Sequence, residues 1–396
     1  MRRRGLIVVF SVLCLVVLLA LPGVGSAAPQ IKVGGYVKLD AIYQTGATDS
    51  AAPNPKVTPL DGTADSNRQE FIFDARESRL NFNITDEVEG VKLRGFVEFD
   101  FEGGGGNVST TNSHVPRLRH AFGQGTFRNG LSLLAGQTWS TFTNPAFFAN
   151  TIDFNGPAGQ VFSRQPQIRL GYGLMPNLTL EVAAEEPSFQ SRDDGSTAAK
   201  ATSFTSNTKQ VIPQFVGRLA WADPRLSAEV AATVGQNKFK FASGETEDEI
   251  NWGVLGSVKV PLGPLTLQGH IHYLDGINRY ANGDFPDGIL VTAAGAEEVV
   301  NLTSLGFFAG GSYQVMARTT LNAYYGWEEI DDEAGKGFGS ATTFDNETLQ
   351  SIHVNVMHDI VQNWRVGLEW QYNSRELFNG TDGDINKIHL AFWYFF

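Results

Sequence analysis

Cysteine is almost missing from this sequence of 396 residues, because Cys14 is the only one. Cys14 lies in an apolar run from Leu6 to Leu21, so the rest of the chain must be stabilised without disulfides. Leu15 follows Cys14, whereas a lipoprotein site needs a small residue beside its cysteine. The sequence therefore predicts neither a disulfide framework nor a lipid anchor.

Basic residues are also in the minority, with 30 Lys and Arg against 42 Asp and Glu and a net charge of −12. A protein that binds nucleic acid needs a basic surface, so we predict no nucleic-acid partner. The glycine run 103–106 lacks the lysine of a phosphate-binding loop. We predict no cofactor.

Long apolar runs are absent after the first 28 residues. Those residues carry three arginines (2–4), the apolar run, a break at Pro22 and small residues up to Ala28, which is the order of a secretory signal peptide. A membrane anchor is the weaker alternative, because a spanning helix needs roughly 20 apolar residues. We predict a signal peptide at 1–28, cleaved after Ala27 or Ala28, and one domain at 29–396.

What the remaining sequence does contain is an alternation of apolar and polar residues. In the segment 91–102, one face is mostly apolar and the other carries Lys92, Arg94, Glu98 and Asp100. Successive side chains of a strand point to opposite faces, so such segments predict strands with one apolar face. A soluble β-sandwich shows the same alternation and remains an alternative at this point.

The connectors between these strands favour a membrane barrel. Seven tight turns alternate with eight long polar connections, among them 237–249, 275–301 and 373–384, which predicts sixteen strands between 31–43 and 385–396. Turns at one rim and loops at the other are typical of bacterial outer-membrane barrels. We therefore predict an all-β fold: a 16-stranded antiparallel transmembrane β-barrel in the bacterial outer membrane.

Aromatic residues at the strand ends agree with this setting, because Tyr and Trp form girdles at the two membrane interfaces. The predicted outward-facing residues are Tyr43, Trp139, Tyr172, Trp221, Trp252, Tyr273, Tyr313, Trp327, Trp364 and Tyr372. The last predicted strand alternates apolar residues up to Phe396, which resembles the signal read by the barrel-assembly machinery. Pairing this strand with the first one would remove both exposed edges.

Three residues on two strands do not fit the alternation. Phe71 and Phe73 share the parity of Arg79, so either a bulge lies between them or the second strand begins near Ala75. His120 has the apolar parity of its strand, and a buried subunit interface would explain it better than lipid.

A barrel of sixteen strands encloses water, so its inward residues should be polar. The inward parity is indeed polar, which argues against an apolar-filled interior. Its cations in the first half of the chain predict a basic strip on one wall that attracts carboxylates or phosphates: Lys38, Arg79, Arg94, Arg117, Arg119, Arg164 and Arg169. Pairing with Glu77, Glu98 and Asp100 would instead leave no selectivity.

The connection from Ser140 to Ser163 is too apolar for a solvated loop. It contains Phe142, Phe148 and Phe154, which predict a loop that folds back into the barrel and narrows the bore. Asp153 is then the predicted acid that faces the arginine strip. Opposed charges across a constriction orient permeating dipoles and set the charge preference.

Five segments resemble the DcaP-like trimeric porins, within the general trimeric porins of Gram-negative bacteria. They are Gly35–Asp40, Ala75–Phe82, Arg117–Ala121, Gly136–Trp139 and Arg164–Arg169. The resemblance extends over the mature chain in strand order, with specific motifs up to about residue 173. It implies a homotrimer of 16-stranded barrels that passes small anionic solutes, often dicarboxylates.

Other functions stay open at this point. A non-selective or phosphate-type porin would have the same fold. An outer-membrane hydrolase needs a converging Ser, His and carboxylate. His270 and His272 share the inward face and Asp275 and Asp284 follow them, but no Gly-x-Ser-x-Gly motif is present, and we predict no enzyme. The same two histidines lack an identified third ligand, and we predict no metal site. Acidic loop residues such as Glu247 and Asp331 could contact lipopolysaccharide through divalent cations, although solvated extracellular loops are the favoured explanation.

Overall fold

The structure is a computed structural model. It describes residues 28–48, 55–104, 111–187, 210–240, 246–283, 285–293, 296–331 and 346–396. Residues 1–27 of the predicted signal peptide lie outside this set. No helix in the described part of the chain is long and apolar enough to cross a membrane.

Sixteen antiparallel strands form one closed barrel, which confirms the predicted fold. In chain order they are β1 (Gln30–Gln44), β2 (Glu70–Asp74 and Arg79–Val88), β3 (Val91–Gly103), β4 (Val115–Thr126), β5 (Leu131–Trp139), β6 (Arg164–Met175), β7 (Leu178–Glu185), β8 (Gln214–Asp223), β9 (Leu226–Lys240), β10 (Thr246–Leu262), β11 (Leu265–Asp275), β12 (Thr303–Met316), β13 (Thr319–Ile330), β14 (Asn346–Val361), β15 (Trp364–Leu377) and β16 (Asp382–Phe395).

The barrel closes where β16 pairs with β1. The register runs from Tyr36 opposite Phe395 to Gln44 opposite Lys387. Both strands thereby satisfy the main-chain groups that would otherwise form exposed edges. On the outer surface, Val37, Tyr394 and other large apolar side chains are exposed, as a membrane-facing wall requires.

Strand β2 is interrupted at residues 75–78. Between Asp40 and Tyr36, β1 advances four residues, whereas β2 advances five between Asp74 and Arg79. The extra residue inverts the faces of the strand, since residues alternate sides. Phe73 is therefore exposed on the outer surface while Arg79 turns inward, so a local irregularity accounts for the parity conflict.

A bulge in β4 corrects the interpretation of His120. Glu98 lies opposite His120 and Phe99 opposite Leu118, so Arg119 is an extra residue in the pairing. Both Arg119 and His120 consequently point inward and are buried. The His120 ring lies against Phe96 and Trp139, and its Nδ1 is 3.0 Å from Thr138 Oγ1. His120 is therefore not on the subunit-facing or lipid-facing surface.

The connectors follow the predicted alternation, with local differences. Tight turns close one rim; at Glu89 and Gly90 both residues have positive φ, the requirement of a type I′ hairpin. The loops predicted at 237–249 and 373–384 are shorter, because β9 continues to Lys240 and β15 to Leu377. Residues 276–302 contain a 3₁₀ turn (Asn278–Tyr280) and a hairpin (Gly288–Ala293 with Ala296–Asn301).

Half of the barrel interior is filled. Residues 140–163, here called loop 3, and the described residues of 276–302, here called loop 6, fold inward and pack on the wall formed by β7–β16. Apolar side chains of the loops meet inward-facing apolar residues of the wall in three buried clusters. The first contains Phe142, Tyr280 and Leu255, the second Phe285 and Leu349, and the third Ile152 and Trp393. The prediction of an interior without apolar packing is wrong for this half.

Candidate functional site

Loop 3 is held at its start by charged side chains of the wall. Glu185 on β7 accepts hydrogen bonds from Ser140 Oγ and Thr141 N, both at 2.6 Å. Arg169 on β6 donates to the carbonyl of Trp139 at 2.6 Å, and Arg218 on β8 to the carbonyl of Thr143 at 3.4 Å. Because Glu181 pairs with both arginines, these cations serve the loop backbone rather than the open lumen.

The middle of loop 3 packs directly against the main chain of the wall, at positions where both segments have glycine. Gly159 has φ +75°, and a Cβ there would lie 2.4 Å from the carbonyl oxygen of Trp327. On the wall, a Cβ at Gly326 would lie 2.2 Å from the carbonyl oxygen of Ala158. Two glycines thus allow loop and strand to approach at a distance that side chains would prevent.

The tip of loop 3 is fixed to the wall on its far side. Glu369 on β15 accepts hydrogen bonds from the amides of Ile152 and Asp153, at 3.0 and 3.3 Å. Lys38 on β1 donates to the carbonyl of Ile152 at 3.1 Å and pairs with Asp40 and Glu77. Lys38 is therefore a buried anchor of the loop and does not reach the water of the channel.

Asp153 does not face the arginines, contrary to the prediction. Its Oδ2 lies 2.5 Å from Lys387 Nζ on β16, and both side chains are at most 1% exposed. Burial alone would raise the pKa of Asp153, but the Lys387 ammonium outweighs burial and lowers it. Asp153 lies away from the arginines because it pairs with Lys387. Alternation along β16 predicts that Lys387 faces inward, but it does not show which loop residue Lys387 will contact.

Since loop 3 covers the wall of β7–β16, the open part of the lumen faces β2–β6. Here the Phe154 ring lies between two guanidinium groups, 4.3 Å from Arg79 and 4.7 Å from Arg119. Phe154 also meets Phe162 edge-on at 4.9 Å. These residues form the aperture, in which stacked cations border an aromatic loop edge.

Carboxylates neutralise most of the charge near the aperture. Arg117 makes a two-point contact with Asp100 at 2.9 and 2.6 Å. Arg119, which is 1% exposed, pairs with Glu98 at 2.8 Å and with Asp100 at 3.0 Å. Arg79 lies 3.8 Å from Glu77, which Lys38 shares. Part of the predicted arginine strip is therefore paired with Glu77, Glu98 and Asp100, which is the alternative that the sequence left open.

Arg164 is the exception. Its guanidinium stacks on Trp139 at 4.8 Å and makes no ion pair with a carboxylate within the described residues. Its Nη1 is buried without a hydrogen-bond partner there, and so are Nε and Nη2 of Arg79. Arg164, Arg79 and Arg119 lie close enough for mutual repulsion. Buried cationic donors without acceptors form a site that an anion can complete.

The family comparison agrees with this architecture. The family model described as DcaP outer membrane protein matches residues 23–238, more than half of the chain. The chain belongs to the DcaP outer membrane protein family. The fold and the family place it in the bacterial outer membrane, as predicted.

Solved structures share the fold. The outer membrane channel DcaP of Acinetobacter baumannii is 23% identical over 95% of this chain and 100% of its own, with a TM-score of 0.78. The trimer form of OmpT from Vibrio cholerae is 13% identical over 93% and 100% of the chains, with a TM-score of 0.58. An anion-selective porin from Comamonas acidovorans is 12% identical over 93% and 100%, with a TM-score of 0.57. No curated protein sequence matches significantly.

Membership of the DcaP family makes this chain an outer-membrane channel of the porin type, and relatives described as channels support transport rather than catalysis.

Within the predicted strip, the structure brings Arg79, Arg117, Arg119 and Arg164 to the aperture. Arg94 lies on β3 nearer the tight turns. Phe154 lines the aperture, Phe148 stacks edge-on against Trp139 at 5.0 Å, and Phe142 is buried against Tyr280.

Sequence reasoning missed loop 6 and the carboxylates that hold loop 3. Ile277, Tyr280 and Phe285 are as apolar as the residues by which loop 3 was recognised, so the same criterion could have found loop 6. Trp139 was predicted to face the membrane, yet it packs against Phe148 and Phe162. The chain turns inward at that strand end, a change of direction that alternation cannot reveal. The sequence indicated only that Glu185 and Glu369 face inward, and nothing in it predicted that they bind loop 3.

Proposed function

We propose that this chain forms a channel for small organic anions, (di)carboxylates in particular, with Arg164 as the determinant of charge preference. The observation that carries the proposal is the unpartnered guanidinium of Arg164 beside Arg79 and Arg119 at the aperture. A guanidinium with free N–H groups matches a planar carboxylate in two-point geometry. The anion-selective porin with the same fold is consistent with this preference.

The effect of Arg164 can be estimated from Coulomb's law. An ion passing about 5 Å from the guanidinium in water-like dielectric gains or loses roughly 0.8 kcal/mol, with opposite signs for anion and cation. Removing the charge therefore changes the anion-to-cation permeability ratio by about five-fold after screening by salt. A non-selective channel would not show this sensitivity.

The test is the reversal potential of Arg164→Gln in a planar bilayer under a KCl gradient. We expect the potential to move toward zero, because chloride loses its advantage over potassium. Arg365→Gln is the matched control, since Arg365 already pairs with Asp359 at 2.7 Å and lies outside the aperture. An Arg164→Gln channel with unchanged selectivity would contradict the proposal.

We further propose a homotrimer in which the outer face of β2–β5 contacts the neighbouring subunits. Between residues 44 and 171, Trp139 is the only Tyr or Trp, and it points inward. The rest of the outer wall carries exposed Tyr and Trp from Tyr172 to Tyr394. Membrane-facing strands need such residues at the headgroup level, so their absence from β2–β5 fits a face covered by protein. The trimer form of OmpT supports a trimeric assembly.

Two glycines on the outer surface offer a matched test of the trimer. A Cβ at Gly123 on β4 or at Gly217 on β8 would meet nothing within 4 Å. Gly123→Trp should produce monomers in native mass spectrometry, because the indole separates the subunits. Gly217→Trp, facing lipid, should remain trimeric, and trimers for both variants would refute the assignment of this face.

The remaining proposed partners are those of the membrane itself. The outer wall faces lipid and, at the loop rim, lipopolysaccharide. Strand β16 and the residue that follows it, with Ile388, Phe392 and Phe396 exposed outward, carry the pattern that the assembly machinery recognises. Phe396→Ser should therefore slow insertion into membranes that contain this machinery, whereas spontaneous insertion into pure lipid should be little changed.

A further inference from the structure

A second cationic position lies on β3, between the aperture and the rim of tight turns, which is the periplasmic rim in bacterial outer-membrane barrels. Arg94 is exposed, and its Nε donates to Asn83 Oδ1 at 2.8 Å. Its Nη1 and Nη2 make no hydrogen bond within the described residues. One donor thus fixes the guanidinium, and the two terminal nitrogens are available to a ligand.

The neighbours of Arg94 leave its charge uncompensated. The residues opposite it in the two adjacent strands, Thr85 and Gln124, are neutral, and Arg94 makes no ion pair among the described residues. A cavity lined by these residues also reaches Asp86 and Glu87 at the rim. Glu87 lies opposite Lys92 in the register, and Asp86 opposite the outward-facing Leu93. The cavity lining thus carries two carboxylates and two cations, but neither carboxylate lies opposite Arg94 in the register.

Aromatic rings form the side of this position that faces the aperture. The guanidinium lies 5.1 Å from the Phe96 ring and 5.5 Å from the Phe122 ring, whose centroids are 5.8 Å apart. Stacking restricts the guanidinium to one orientation without using its outer N–H groups. The half-buried rings also offer apolar surface to the carbon skeleton of a solute, which chloride cannot use.

The spacing separates this position from the aperture. Arg94 precedes Glu98, the partner of Arg119, by four residues along β3, or about 13 Å at the rise of a strand. A small solute cannot contact both positions at once, so an anion would move from one to the other. Adjacent weak sites are the arrangement that allows binding without trapping.

We propose that Arg94, with Asn83, Phe96 and Phe122, forms a second site that binds the carboxylate of an organic solute on the periplasmic side of the aperture. The inference rests on the proposed anion channel and extends it to a two-step path. Its recognition elements are a two-point guanidinium contact and an apolar surface beside it. It therefore distinguishes organic carboxylates from inorganic anions.

The test uses succinate as a blocker of chloride current through full-length channels inserted in one orientation. Succinate added to the periplasmic side reaches Arg94 without crossing the aperture. For Arg94→Gln we expect the dissociation constant of block from that side to rise about five-fold, the scale of one exposed charged contact. Block from the extracellular side should change less, because the aperture is met first.

Arg365→Gln is the control, since this arginine also lies near the rim of tight turns, on another strand, and is neutralised by Asp359. Its block constants should equal those of the unmodified channel. Equal periplasmic block in Arg94→Gln and the unmodified channel, or no periplasmic block in either, would overturn the second site. A chain that forms no channel, or a channel insensitive to Arg164→Gln, would instead refute the proposed function.

Discussion

The buried pair of Asp153 and Lys387 should determine whether loop 3 stays on the wall. Asp153→Asn removes the carboxylate 2.5 Å from the Lys387 ammonium at a site where both side chains are at most 1% exposed. Breaking a buried ion pair by removing one partner costs about 3 kcal/mol or more, because the remaining charge stays desolvated. We expect the free energy of unfolding from lipid vesicles to fall by about that amount, with greater current noise from a released loop tip.

A control and a pH series sharpen this prediction. Asp359→Asn removes the same group from an exposed pair with Arg365, which should cost less than about 1 kcal/mol. The pKa of Asp153 is lowered in the folded protein, so its contribution is present above the unfolded pKa of about 4. The contribution is lost as pH falls through the lower, folded pKa. Noise should therefore be constant from pH 8 to about pH 5 and rise only below about pH 4.

An Asp153→Asn channel as stable and as quiet as the unmodified one would refute this account of the loop. The same holds if Asp359→Asn destabilises the barrel as much, because burial would then not be the relevant difference. Lost stability without added noise would show that the pair supports the barrel wall but does not hold the loop tip.

Three further changes test the packing and charge of the aperture. Gly326→Leu should displace loop 3, because its Cβ would lie 2.2 Å from the carbonyl oxygen of Ala158; single-channel noise should rise. Phe154→Ala should increase single-channel conductance, because the ring between two guanidinium groups is lost. Arg119→Ala should shift the reversal potential toward cations, because Glu98 then loses its partner.

Two of these changes have a reference on the same chain. Gly256→Leu should be tolerated, since a Cβ there meets nothing within 4 Å. Phe215→Ala removes an exposed outer-surface ring outside the proposed subunit contact and should leave conductance unchanged. Quiet currents in Gly326→Leu, unchanged conductance in Phe154→Ala or greater anion preference in Arg119→Ala would each contradict the respective argument.

The sequence predicted the barrel well because alternation repeats over many strands and a single error cannot change the count. The predicted direction of a side chain was wrong where one extra residue entered the strand pairing, as at Arg119 on β4. Such a bulge cannot be recognised from the composition of the strand. Loop 3 was recognised by its phenylalanines, and its inward course is confirmed. Its position on one wall was not predictable, because it depends on contacts such as Ile152 with Glu369, far apart in sequence.

The cations illustrate the same limit. Inward parity placed Lys38, Arg164 and Arg169 in one class, yet their roles differ with their partners. Lys38 and Arg169 donate to carbonyls of the loop and its preceding strand end, whereas Arg164 lacks a carboxylate partner among the described residues. A face can be read from alternation, but counterions are set by tertiary pairing.

The most direct test of the central claim is the reversal potential of the unmodified channel in a planar bilayer under a KCl gradient. Unpartnered arginine at the aperture predicts a potential with the sign of the chloride equilibrium potential. A potential with the sign of potassium would contradict the account.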